Sequence, residues 1–226
     1  MDPIKEAVDF YTGADYLIVN SLLWLNEENI DRAIEAVWQN NTGVMREAIS
    51  ETPEKRFGLP KDEAQAKFDA YRRRTPEVLN EKTRIEMIKT AINDIRLICG
   101  AMRPSEGEMT LFRNVHKLFA EKEPIVGEIL ALQGLTSTST TGQLIDYGNK
   151  EFMSDFVRYI IKIPAGTPIY AVENDYREEN EVILPPMVHK ITAVFEENGQ
   201  KTVELQALSP IAVEPMIQTA ILKFIQ

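Results

Sequence analysis

The sequence predicts an α+β protein, with a helical block over about the first hundred residues and a largely antiparallel β half after it. Three observations predict this. Apolar residues recur every three or four positions up to Cys99. Beyond Pro104 short runs rich in β-branched and aromatic residues replace them. Asn198-Gly199 sits between two of those runs as a hairpin turn, because both positions favour φ > 0. The 226 residues are enough for one large domain with its own core. No flexible linker divides the halves, so residues 1–104 read as a helical lobe and 105–226 as the β part of one domain over 1–226.

Taken in order, Leu17, Val19, Leu22, Leu23 and Leu25 form a helical candidate after the break at Tyr11-Thr12-Gly13. A second helix carries Ile30, Ile34, Val37 and Trp38 behind an Asn29-x-Asp31 start, whose acidic residue suits the positive end of the helix dipole. Residues 50–60 read as a loop, with Pro53, Gly58 and Pro60. Arg72-Arg73-Arg74 reads as a solvated helix face. Ile85, Ile88, Ile92, Ile95 and Cys99 mark one apolar face of a long helix. The strand candidates are Met109–Arg113, Phe156–Ile163, Glu181–Leu184, Ile191–Phe195 and Val203–Leu205, with prolines 164, 168, 185, 186 and 210 at strand ends. Residues 209–226 carry little charge and are expected to pack as a final strand or helix.

Composition excludes several functions. A net charge of -10 disfavours coating nucleic acid, since counterion release rewards basic surfaces. The lone Cys99 cannot close an intrachain disulfide and reads as a core residue. His116 and His189 are too few for a His-based metal site, and no Cys/His cluster suits zinc, so no metal is expected. No run approaches the roughly 20 apolar residues of a membrane-spanning helix, and the N-terminus lacks the basic start of a signal peptide. The expectation is a soluble chain with no membrane partner, cytoplasmic in its producing or host cell.

Three features of the β half stand in order: Arg113, Ser137-Thr138-Ser139 and Glu179-Asn180-Glu181. Singly they read as a surface arginine, an edge or turn, and two carboxylates on one strand face. Together they resemble the Arg…Ser-Thr-Ser…Glu-x-Glu signature of the mono-ADP-ribosyltransferases, in the bacterial exoenzyme and phage toxin-like branch. Tyr11-Thr12, Tyr16 and Val19-Asn20 are similar to that branch's N-terminal helix. Ile163-Pro-Ala-Gly166-Thr-Pro-Ile-Tyr170 looks like the element preceding its acceptor-recognition loop. The likeness spans roughly residues 8–25 and 90–200.

The resemblance implies a two-sheet β-sandwich with an NAD cleft, packed on the helical lobe. It implies transfer of ADP-ribose from NAD, the co-substrate, to an arginine of a target protein, without a metal. Cleaving the nicotinamide–ribose bond makes an oxocarbenium-like sugar, which a carboxylate stabilises as in glycosidases. Glu181 is implied as that carboxylate and Ser137 as the residue orienting it. Arg113 would hold a phosphate bidentately. Glu179 is implied as the group that orients the acceptor guanidinium and takes its proton, because a guanidinium with a pKa above ~12 is a poor nucleophile. Tyr176 either stacks on the acceptor or covers its own loop, and the phosphate loop would fall in residues 141–151. Two departures stand out. Asn114 follows the arginine where glycine is usual, with a turn expected to survive, and Pro185-Pro186-Met187 replaces a common glycine. Alternatives on the same scaffold are an NAD glycohydrolase, an enzyme for another acceptor such as actin or nucleic acid, and a non-catalytic adaptor copy. Delivery by a secretion system, a phage or a separate activating partner is implied, since the chain has no translocation segment.

Overall fold

A computed structural model describes residues 2–25, 27–116, 123–141, 156–172, 180–197 and 199–225. The chain is α+β and divides into two compact units, Met1–Ala101 with Val213–Gln226, and Met102–Ala212. The C-terminal segment is a helix that groups with the N-terminal helices, although the sequence reading assigns everything past residue 104 to the β half. Among the described residues no helix is long and apolar enough to cross a membrane.

The helical unit comprises α1 (Pro3–Phe10), α2 (Tyr16–Leu23), α3 (Glu27–Glu51), α4 (Pro53–Phe57), α5 (Lys61–Arg74), α6 (Glu81–Ala101) and α7 (Val213–Phe224). Asp2 starts α1 by accepting the Ile4 amide at 2.8 Å, with Pro3 in the first helical position. A π-helical turn, Tyr11–Asp15, joins α1 to α2, and Gly13 in it leaves helical geometry (φ −82°, ψ −107°). The apolar stripes sink as their spacing requires: Ile30, Ile34 and Val37 of α3 and Ile88, Ile92, Ile95 and Ile98 of α6 are buried. Residues 50–60 are not all loop. Pro53 opens α4, capped by the Thr52 hydroxyl and ended by Gly58 at φ 64°.

The arginine run also departs from expectation. Arg72 and Arg73 are exposed, but Arg74, about 200° round the helix from Arg72, turns inward. Its guanidinium donates to Asp15 at 2.8 Å and to Asp94, lies 3.9 Å from Glu6 and sits 4.1 Å over the Phe10 ring. Burial pushes the Asp94 carboxyl up to about 6, against the hydrogen bond and charge of Arg74 and with help from Asp15 and Glu6. Burial raises Asp15 as well. Cys99 is half-buried, and desolvation pushes its thiol up to about 12.

The β unit contains β1 (Arg103–Pro104), β2 (Met109–His116), β3 (Ile129–Leu132), β4 (Thr136–Ser139), β5 (Phe156–Ile163), β6 (Pro168–Ala171), β7 (Glu181–Leu184), β8 (Met187–Glu197) and β9 (Gln200–Pro210). Hydrogen bonding links them as β1-β6-β7-β4-β2-β5-β9-β8-β3. Among the described residues only β5 and β9 run parallel. Pairing therefore runs through one nine-stranded order, where the resemblance leads to two sheets. The link between β2 and β4 is a single pair, Phe112 with Ser139. Val182 and Leu184 on one side of it share an apolar cluster with Leu111, Ile161, Val203 and Leu205 on the other. The β8–β9 hairpin turns where Asn198-Gly199 predicts, with Gly199 at φ 78°.

His189 lies inside this unit at 1 % exposure, between Leu130 of β3 and Ala207 of β9, and neither ring nitrogen has a hydrogen-bond partner among the described residues. Burial lowers its pKa to about 4, although nearby carbonyls of Met187 and Leu130 pull the other way.

The two buried groups give opposite acid responses. Between the ordinary Asp value of 3.8 and about 6, folded Asp94 keeps a proton that the unfolded chain releases. The stability it contributes therefore falls as pH rises through that window, and Asp94→Asn flattens the slope in denaturant unfolding. Between 6.5 and about 4 the unfolded chain protonates His189 first. Stability of the β unit therefore falls as pH drops, and His189→Leu removes that loss in hydrogen exchange of the β8 amides. Arg74→Met strands two buried carboxylates and lowers unfolding free energy by about 3–5 kcal/mol at neutral pH.

Candidate active site

Two short strands build the site. β4 and β7 pair antiparallel in the register Thr136–Leu184, Ser137–Ile183, Thr138–Val182 and Ser139–Glu181. Strand alternation sends Thr136 and Thr138 to one face, where they are buried, and the half-buried Ser137 and Ser139 to the other. The Thr138 hydroxyl donates to the Val182 carbonyl at 2.7 Å, which ties the two strands side chain to backbone.

Glu181 is the first residue of β7 and is 8 % exposed. Ser137 lies diagonally opposite it, and its hydroxyl donates a short hydrogen bond to Glu181 Oε1. The Glu181 backbone is held separately, its carbonyl accepting the Val172 amide at 2.9 Å. The carboxylate thus sits on the sheet with its rotamer set by a neighbouring strand, an arrangement suited to stabilising positive charge at one point.

The register row through Glu181 continues across Ser139 to Phe112 of β2 and Ile160 of β5. Arg113 follows Phe112 in β2, so strand alternation takes its side chain from the face of Phe112, Ser139 and Glu181 to that of Leu111. It is half-buried, lies opposite Tyr159 in register, and makes no ion pair or hydrogen bond among the described residues. The structure brings Ser137 and Glu181 into contact but shows no contact of Arg113 with either among the described residues. β2 runs three residues past Arg113. No turn forms at Asn114, because the residue stays in the ladder opposite Arg158 and its side chain accepts from Gln200 at 3.3 Å. Arg158 lies half-buried, with its guanidinium 5.1 Å from the Phe112 ring centroid.

Glu179, Tyr176 and most of the segment 141–151 lie outside the described residues, as does the side chain of His116. Two site features were missed from sequence: the Thr138–Val182 tie and the backbone of Asn180, which adopts φ 44° immediately before Glu181. The Thr/Ser alternation in 136–139 and the tolerance of Asn for left-handed geometry are the signals that would have found them.

No family model and no curated protein matches the chain. Among solved structures it is similar to an ADP-ribosyltransferase from Clostridium botulinum, with a TM-score of 0.47 and 15 % identity over 92 % of this chain and 88 % of that one. The catalytic domain of VahC from Aeromonas hydrophila gives 0.46 and 16 % identity over 92 % and 98 % of the two chains. The C3 exoenzyme of Clostridium limosum gives 0.45 and 14 % identity over 92 % and 86 %.

Removing the donor to a buried carboxylate has a cost independent of any activity. Ser137→Ala is expected to lower unfolding free energy by about 1.5–3 kcal/mol, the range for hydrogen bonds to charged groups. Thermal unfolding checks it, and an unchanged melting temperature would contradict the bond.

Proposed function

We propose that this chain is an NAD-dependent mono-ADP-ribosyltransferase that modifies an arginine of a target protein. The observation that carries the reading is the Ser137–Glu181 hydrogen bond, which sets a buried carboxylate at the start of β7. Residues 44 apart in sequence meet in the pairing that the Ser-Thr-Ser and Glu-x-Glu segments require for this chemistry.

The nicotinamide–ribose C–N bond breaks, the electron pair leaves with neutral nicotinamide, and the ribose C1 becomes oxocarbenium-like. Glu181 stabilises that charge and accepts a hydrogen bond from the ribose 2′-hydroxyl, while Ser137 keeps the carboxylate oriented. Arg113, with no partner among the described residues, is free to hold the pyrophosphate. A guanidinium nitrogen of the acceptor then bonds to C1 and loses its proton to Glu179, with Tyr176 stacking on the acceptor. The net charge of -10 suits a protein acceptor better than nucleic acid.

Free nicotinamide released from NAD, with and without a small guanidine acceptor, tests the assignment. Glu181→Gln is expected to lower release by on the order of 100-fold or more. Glu179→Ala is expected to reduce transfer far more than release. Release from Glu181→Gln at the wild-type rate would remove the catalytic role. Wild-type release with no guanidine product would remove the arginine acceptor and leave hydrolysis.

A further inference from the structure

His189 is a buried ionisable side chain that the proposed chemistry does not use. It stands between Met187 and Ile191 on the buried face of β8, at 1 % exposure, where the β8–β9 register shifts. Its neighbours in register are Leu130 of β3 and Ala207 of β9. Among the described residues no charged side chain faces it. β3 carries none, Glu128 before it and Lys190 of β8 are exposed, and Glu204 of β9 pairs with Lys162. The apolar cluster around Met187 and Ile191 has Tyr159 as its titratable member. Burial and the backbone of Met187 and Leu130 decide how the ring titrates.

The two strands beside His189 are held unequally. β9 pairs along both β5 and β8, and its Val203 and Leu205 are fully buried. β3 ends the strand order and, among the described residues, pairs only with β8, through four residues. Its Ile129 is 60 % exposed, and Leu130 and Leu132 are half-buried against the core. An imidazolium without a partner must lose its proton or reach water. Lifting β3 is the smallest movement that uncovers it, at the expense of four ladder positions and two half-buried leucines. That movement is bounded on both sides. Before β3, the Gly127 amide donates to the Ile191 carbonyl at 2.8 Å and the Ile191 amide to the Glu128 carbonyl at 3.0 Å. After it, Leu135 is buried and the Thr138–Val182 bond ties β4 to β7.

We propose that His189 is an acid-sensitive latch on the edge strand β3: protonating its ring releases Ile129–Leu132 from β8, while β4 and its Ser137 stay in place. In the opened edge the ring takes its proton near the ordinary 6.5, whereas the buried ring resists to about 4. Opening therefore binds a proton between those values, and its equilibrium constant rises on the order of 20-fold from pH 7 to pH 5. The Ser137–Glu181 bond lies beyond the Leu135 anchor, so it survives this opening.

Hydrogen exchange of the full chain at pH 7 and pH 5, corrected for intrinsic rates and repeated in low urea, tests the latch. The paired amides of β3 are expected to lose about 20-fold in protection at pH 5 and to respond little to urea, since a small opening exposes little surface. The Val203 and Leu205 amides of β9 are expected to exchange about tenfold or more slowly than those of β3 at pH 5, and β4 to keep its protection within about twofold. In His189→Leu the β3 protection is expected to stay within about twofold between the two pH values. His189→Gln, which also takes no proton, gives the same result where leucine disturbs the packing, and melting temperatures confirm folding. Unchanged β3 protection in the wild-type chain overturns the proposal, and so does an equal loss in both variants. Exchange of β3, β4 and β9 at one common rate at pH 5 also overturns it, because the whole unit then opens together.

Discussion

A carboxylate taken out of water must find a donor or give up its charge, and in this protein one strand pairing meets that demand. Glu181 is buried at the start of β7, and the hydroxyl that serves it arrives from β4 only because Ser139 lies opposite Glu181 and Ser137 one diagonal away. Slipping the pairing by one residue would turn Ser137 into the apolar interior and bring a threonine to the carboxylate's face. The Thr138 hydroxyl on the Val182 carbonyl opposes that slip, and Val182 and Leu184 in the core cluster oppose it again from the other face.

Each unit carries a second buried polar group, and each resolves it differently. In the helical unit three carboxylates gather round the Arg74 guanidinium, and burial, helped by the charges of Asp15 and Glu6, keeps Asp94 inclined to hold a proton. In the β unit His189 has apolar neighbours in register and, among the described residues, no partner for either nitrogen, so it resists protonation. Acid therefore relaxes a conflict in one unit and creates one in the other. The helical network also ties α1, the π-helical turn, α5 and α6 together at one point, which is a positional role that surface ion pairs do not provide.

Much of this was legible in the linear pattern. β5 and β7 span the predicted residues, each ending at a proline, and the β8–β9 hairpin closes with Gly199 at positive φ. What escaped was structure without a hydropathy contrast. β4 alternates threonine with serine, so its inward and outward faces look alike to any hydrophobic period, although one is buried and the other carries the site. Arg74 was hidden by its neighbours, since three arginines in a row suggest one solvated face while helical rotation separates the first from the third. Asn114 was read by analogy as a turn, yet a ladder partner on β5 keeps it extended.

The α+β class, the helical stripes and most strands follow from the linear chain, because they depend on local propensity and on residue type. Folding in three dimensions was needed to bring Ser137 onto Glu181 and to bury the Arg74 side chain and His189. Those facts depend on register and on contacts between segments tens of residues apart. Such contacts are set by the free energy of the whole packed arrangement, which no local window of sequence contains.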